Sequence, residues 1–314
     1  MLVTHPRAAA GLAMGGSAIL LWSLSSACIY YVGRQLGVWQ FLTLTAAIAG
    51  LVQLAVYLAM GRRLRRLLLP PTRLWLAIGL GFVLYEFLYT GALVASTTPT
   101  QTMGASLMNY LWPTLTVVFS AWWVAGERLH GRLALSMLLS LVGLLLVNGR
   151  ALARPESGVS ALPHVLGGLA AVCWAAYCAL TSRWRAWAQD YAASPVGFLL
   201  VSLVAAAVCA LQNTWMPMDG RAWAGVLFTA LGPWAAGYLL WELALHRAPG
   251  TMLGLLASAT PVLSTLCLML LFVLVGTGEA PGSTSGEGYL VPLLASLLIA
   301  ASVALGRTPA RSKD

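Results

Sequence analysis

Two glutamates stand inside apolar stretches that leave little else to ionise them: Glu86 in the middle of residues 73 to 95, and Glu242 in the later part of 221 to 245. At the centre of a bilayer an ionisable side chain costs about 2.5–3.5 kcal/mol on insertion scales, so a chain that keeps one has a use for it. A buried carboxylate can hold a substrate ammonium or exchange a proton. It can also be a protonated acid bonded to a neighbouring helix. Glu86 has no arginine or lysine at similar depth, whereas Glu242 has His246 and Arg247 one turn away as candidate partners. Rings gather at the same level with helical spacing: Tyr85 and Tyr89, Tyr110 and Trp112, Trp174 and Tyr177, then Trp234, Tyr238 and Trp241. Intervals of three and four place each set on one helix face, where it can pack a core or stack on an apolar or aromatic ligand and contact a cation.

Prolines interrupt the pattern twice. Pro113 lies midway along residues 101 to 125 and Pro261 near the middle of 251 to 275. Each removes a backbone donor and bends its helix, and broken helices at matching positions expose amides that can bind charged groups.

Other chemistries are poorly supported. Cys28, Cys173, Cys178, Cys209 and Cys267 all fall in apolar segments without CxxC spacing, and the four histidines lie at segment ends without HExxH spacing. Neither a metal site, a disulfide framework nor a cofactor is indicated. No GxxxxGK[ST] loop occurs, so movement of a solute would be driven by a gradient or passive. An intramembrane enzyme would need a nucleophile paired with a base at membrane depth, and no histidine is placed there. The absence of deep arginine or lysine disfavours phosphorylated cargo.

The elements that must position these residues are membrane helices. Apolar residues make up 60% of the 314, charged residues only 9%, and mean hydropathy is +0.82, against about 25% charged residues in a soluble domain. Ten apolar stretches are long enough for ~30 Å of hydrocarbon: 11 to 32, 39 to 60, 73 to 95, 101 to 125, 129 to 147, 164 to 183, 194 to 212, 221 to 245, 251 to 275 and 288 to 306. The alternation of barrel strands is missing, so the spacing predicts an all-α integral membrane protein. The first stretch is too long for a cleaved signal and is expected to remain as a helix.

Net charge of +9 follows the loops rather than a nucleic-acid patch. With ten spans, fourteen basic residues fall on one face, including Arg62, Arg63, Arg65, Arg66 and Arg73, while Arg34, Arg150, Arg154 and Arg221 fall on the other. The positive-inside rule then places both termini in the cytoplasm.

The chain also repeats itself. At an offset of 152 residues Gly15, Gly16 and Trp22 fall on Gly167, Gly168 and Trp174, Gly126-Glu127 on Gly278-Glu279, and Tyr89 on Trp241. At that offset Glu86 falls on Tyr238 and Thr90 on Glu242. The expected division is a five-helix repeat over 1–150, an external linker at 151–163 and a second repeat over 164–314. Five is odd, so the second copy enters the bilayer from the opposite side, an arrangement that builds substrate sites near the midplane.

Two inverted five-helix repeats, each with a proline in its fourth helix followed by Gly-Glu, resemble the drug/metabolite transporter superfamily of EamA type. The run Met108-Asn109-Tyr110-Leu111-Trp112-Pro113-Thr114-Leu115-Thr116, with Tyr85-Glu86 before it, is similar to the YddG-type exporters of bacterial inner membranes. The second half departs from the first: eighteen residues separate Pro261 from Glu279, against fourteen between Pro113 and Glu127. The resemblance implies export of aromatic and other neutral amino acids and related metabolites by alternating access, with no enzymatic step. An exporter of drugs or aromatic cations on the same fold is the alternative. The substrate-binding candidates are Tyr85, Glu86, Tyr89, Asn109, Tyr110, Trp112, Trp174, Tyr177, Tyr238 and Trp241. Pro113, Pro261, Glu127, Glu279 and Glu242 are candidates for helix breaks or gating. The partners expected are a small-molecule substrate and the lipid bilayer, with a monomer as the working unit.

Overall fold

A computed structural model describes residues 6–123, 135, 138, 139, 142, 143, 146, 160–184, 192–245, 247, 257, 259–275 and 290–305. All regular structure among these residues is helical. The first apolar run is α1 (Pro6–Cys28), a π-helical turn π1 (Ile29–Gly33) and α2 (Arg34–Ala59). From Ala9 to Ala59 it counts 51 residues, more than one crossing needs. Gly37 divides it: its φ of 74° and ψ of 158° lie where only glycine is at ease.

The short helices α3 (Leu64–Leu68) and α4 (Thr72–Leu76) follow the turn at Gly61 and carry the arginine cluster. Helix α4 runs on through π2 (Ala77–Val83) into α5 (Leu84–Val94). Then come α6 (Pro99–Asn109), α7 (Trp112–Trp123), α8 (Leu162–Arg183) and α9 (Ala193–Leu211). The remainder is α10 (Gly220–Thr229), π3 (Ala230–Ala236), α11 (Gly237–Leu245), α12 (Thr260–Val275) and α13 (Leu290–Leu305).

Five helical runs among the described residues are long and apolar enough to cross a membrane: Ala9–Ala59, Thr72–Val94, Leu162–Thr181, Ala193–Leu211 and Gly220–Ala244. The difference from ten sequence stretches has plain sources. The first two stretches are joined across Gly37, and the fourth is cut at Tyr110-Leu111 into helices of 11 and 12 residues. Most of 129 to 147 lies outside the described residues, 251 to 275 is described continuously only from Ala259, and 288 to 306 is described only as the 16 residues of α13. Leucines such as Leu20, Leu203 and Leu274 stay exposed on the helices, as suits surfaces solvated by lipid rather than water.

Packing recurs at the sequence offset. Helix α1 lies against π3, α11 and α12, while α8 lies against π2, α5 and α7. Helix α2 packs on π3 and α9 on π2, and α2 and α9 share the most extensive contact of all. Individual contacts interchange in the same way. A Cβ on Gly50 would come 3.1 Å from the Pro195 carbonyl oxygen, and Ser202 Oγ donates to the Thr43 carbonyl at 2.8 Å. Residues 50 and 202, and 43 and 195, are each 152 apart. The buried rings Phe82 and Trp234, again 152 apart, both pack on Phe198, with centroids 5.0 and 5.1 Å away.

The π turns have a local logic. Pro233 lies inside π3 and lacks a donor, and a wide turn accommodates the missing bond. Gln53, fully buried on α2, donates through Nε2 to the carbonyls of Trp234 and Ala235 at 3.3 and 3.0 Å. It thereby satisfies acceptors in the π3 turn.

Candidate functional site

The wide turns π2 and π3 deliver the central pair. Glu86 follows π2 on α5 and is 2% exposed, and Tyr238 follows π3 on α11. The Tyr238 hydroxyl donates to Glu86 Oε1 at 2.8 Å, a bond between residues 152 apart. A carboxylate buried among rings keeps its polar contacts or loses several kcal/mol, so this bond fixes the rotamers of both side chains.

The break between α6 and α7 supplies the next wall. Helix α6 starts on a Thr98 cap, whose hydroxyl accepts the Gln101 amide at 3.2 Å, with Pro99 as its first residue. It ends at Asn109, the chain turns through Tyr110-Leu111, and α7 begins at Trp112 with Pro113 next, a position where a proline costs no helical bond. Pro261 occupies the equivalent place in the first turn of α12. Helix α8 approaches α6 closely at Gly167, where a Cβ would fall 2.4 Å from the Ala105 carbonyl oxygen. That contact sets Trp174 opposite the break.

Together these elements surround a narrow cavity with about 50 Å³ of space open to a water-sized sphere, well below the roughly 300–1,000 Å³ of a typical small-molecule site. Eight of the ten substrate-binding candidates line it: Tyr85, Glu86, Tyr89 and Asn109, with Tyr110, Trp112, Trp174 and Tyr238. The other two stand behind. Tyr177 stacks on Trp174 at 5.1 Å, and Trp241 meets Trp22 at 5.2 Å. Trp22, Ser25, Ile29, Trp234 and Thr260 also line the cavity and were not singled out by sequence. Trp22 was visible as the repeat mate of Trp174, and Trp234 as a member of its aromatic set. Ser25 and Thr260 carry no sequence signal.

Trp174 is the hub of the ring system. Its centroid lies 4.8 Å from Tyr85, 5.7 Å from Tyr238 and 6.4 Å from Trp112, the last two nearly perpendicular. Edge-to-face and tilted contacts of this kind leave π faces turned toward the open space. One side is closed by hydroxyls: Ser26 Oγ lies 2.6 Å from the Tyr89 hydroxyl and 3.1 Å from Ser264 Oγ, joining α1, α5 and α12. Among the described residues, Asn109 Oδ1, Thr260 Oγ1 and Trp22 Nε1 are buried without a hydrogen-bond partner. Glu86 is the one carboxylate of the lining, which contains no arginine, lysine or histidine.

Glu242 does not line the cavity. Its Oε1 accepts from Ser194 Oγ at 3.0 Å and its Oε2 from the Tyr57 hydroxyl, while Arg247 donates to the Leu243 carbonyl. The partners come from α2 and α9, which the expectation of a bond to Arg247 did not include. His246, Glu127 and Glu279 lie outside the described residues.

Comparison with known proteins gives a consistent picture. No protein-family model matches the chain. The aromatic amino acid exporter YddG of Ancylobacter novellus is 34% identical over 266 residues, which cover 82% of this chain and 86% of that protein. The exporter of the same name from Salmonella typhimurium is 26% identical over 268 residues, 82% of this chain and 87% of its own. That of Escherichia coli is 31% identical over 178 residues, 54% and 58%. A solved crystal structure aligns over 96% of this chain and 98% of its own, with a TM-score of 0.65 and 27% identity.

Proposed function

Since the chain belongs to the YddG-type aromatic amino acid exporters of the drug/metabolite transporter superfamily, multi-pass membrane proteins rather than enzymes, we propose that it exports aromatic and other neutral amino acids by alternating access. The observation that carries this reading is the cavity lining itself: mostly aromatic rings, one buried carboxylate, no basic side chain. An aromatic side chain stacks among Tyr85, Tyr89, Trp112, Trp174 and Tyr238. The ammonium approaches Glu86, whose Oε1 already holds Tyr238. The carboxylate meets Asn109 and the freed amides at the starts of α7 and α12, where the helix dipoles favour an anion.

The proposed frame is ten helices in two inverted repeats, 1–150 and 164–314, joined by a linker at 151–163, with both termini in the cytoplasm and a monomer as the unit. Support comes from contacts that interchange at 152 residues, and from the Glu86–Tyr238 bond between repeat mates, as residues beside a pseudo-two-fold axis would make.

Counterflow in proteoliposomes tests the function. Labelled phenylalanine is exchanged against amino acids, aromatic cations and sugar phosphates at two proton gradients. Phenylalanine, tyrosine and tryptophan should exchange and sugar phosphates should not. Phenylalanine exchange no faster than in protein-free liposomes overturns the reading, and exchange of cations alone replaces it with a drug exporter.

A further inference from the structure

We propose that Tyr57, Ser194 and Glu242 form a one-sided latch that biases the transporter toward the conformation in which its Arg62 end is shut. The inference rests on the two-repeat frame proposed above. Glu242 is bonded outside the cavity, on α11, and each of its carboxylate oxygens takes a hydroxyl from a different helix: Tyr57 near the end of α2 and Ser194 at the start of α9. Ser194 is fully buried and Tyr57 is 6% exposed. The Arg62 guanidinium, just past α2, acts electrostatically on both Glu242 and Tyr57. Three helices are therefore tied at one end of the bundle by bonds to a carboxylate, the stronger kind of hydrogen bond.

Among the described residues, the repeat-related positions hold no such knot. The repeat mates of Glu242, Tyr57 and Ser194 are Thr90, Cys209 and Leu42. All three are fully buried, and the Thr90 hydroxyl has no hydrogen-bond partner among the described residues. Cys209 accepts from the hydroxyl of Thr214, on its own side of the fold, at 3.4 Å. Two halves of identical sequence would give inward-open and outward-open states of equal energy. Here, opening the Arg62 end breaks two bonds to a carboxylate, while the bonds recorded at the other end, between Gln40 and the Met216 backbone and from Gln101 to the Ser160 carbonyl, join neutral groups and are the weaker kind. The knot also reaches the cargo site, because Glu242 lies one turn beyond Tyr238 on α11 and holds the helix that presents the Tyr238 hydroxyl to Glu86.

The test reads access to the cavity from each face. Ser25→Cys, in the cavity lining, is labelled with a membrane-impermeant maleimide in vesicles of both orientations, and the labelling of the same protein without the reporter is subtracted. In Glu242→Gln and in Tyr57→Phe, labelling from the Arg62 face should rise about tenfold and labelling from the other face should fall, as loss of a bond to a charged group implies. Should Glu242→Gln fold poorly, Tyr57→Phe, which removes one hydroxyl, carries the test. Rates within twofold of the parent on both faces, in a variant that elutes and melts normally, overturn the latch. Arg63→Cys and Gln212→Cys check the frame separately. Labelling of both from one face refutes the inverted repeats, whatever the latch variants do.

Discussion

Replacing Glu86 by glutamine is the sharpest perturbation of the proposed site. The side chain keeps its shape, and its remaining oxygen can still accept the Tyr238 hydroxyl that Oε1 accepts at 2.8 Å. Glu86 is only 2% exposed, so the charge removed is one that little water screens. A hydrogen bond to a charged group contributes about 1.5–3 kcal/mol, which for a bound ammonium corresponds to a roughly 10- to 150-fold loss of affinity. Folding should not suffer, because a neutral amide is easier to bury than a carboxylate. The assay is competition by unlabelled ligands against phenylalanine counterflow in proteoliposomes. Phenylalanine and phenethylamine, which carry the ammonium, should weaken together. Phenylpropionate, which lacks it, should compete as well as before. Unchanged phenylalanine affinity in a well-folded Glu86→Gln protein would refute the placement of the ammonium, and equal weakening of phenylpropionate would point to a reshaped cavity instead.

Trp174→Ala should cost about 3–5 kcal/mol and lower the melting temperature sharply, since it empties the hub that touches Tyr85, Trp112, Tyr177 and Tyr238, whereas Trp174→Phe should recover part of the loss. Gly167→Ala should destabilise by about 1–3 kcal/mol, because the new methyl would lie 2.4 Å from a backbone oxygen of α6. Gly16→Ala, with nothing within 4 Å of its Cβ, should leave the melting temperature in place. Gln53→Leu strands the Trp234 and Ala235 carbonyls, at about 1–3 kcal/mol, and should speed amide exchange across residues 230–241.

Much of the site was legible because its residues are expensive where they stand. A carboxylate and clustered rings inside apolar stretches announce themselves by cost, and prolines announce helix breaks by a missing donor. The Tyr110-Leu111 turn lies one residue before Pro113 for that reason. What escaped was whatever depends on a partner distant in sequence. Tyr57 and Ser194 are ordinary residues until α2 and α9 bring them to Glu242 from 185 and 48 positions away. A bond to Arg247 looked natural because sequence shows only the neighbours along a helix. The π turns were hidden as well, since one extra residue in a turn leaves no hydrophobic period to count. The boundary at Gly37 shows the limit from the other side: hydropathy marks where lipid ends, but not that a kink at one glycine, rather than a loop, makes the connection.

The two π turns also put slack into the helices that carry the site. A π turn holds about one residue more than an α turn, so absorbing it would rotate everything beyond by about 100° and push it out by about 1.5 Å. Backbone bonding would pass from the fifth to the fourth residue with little net loss. Tyr85 and Glu86 begin just past π2, and Tyr238 just past π3, so such a screw motion would swing the acid and the phenol out of register with each other. Cargo could be let go without any helix having to tilt as a rigid rod.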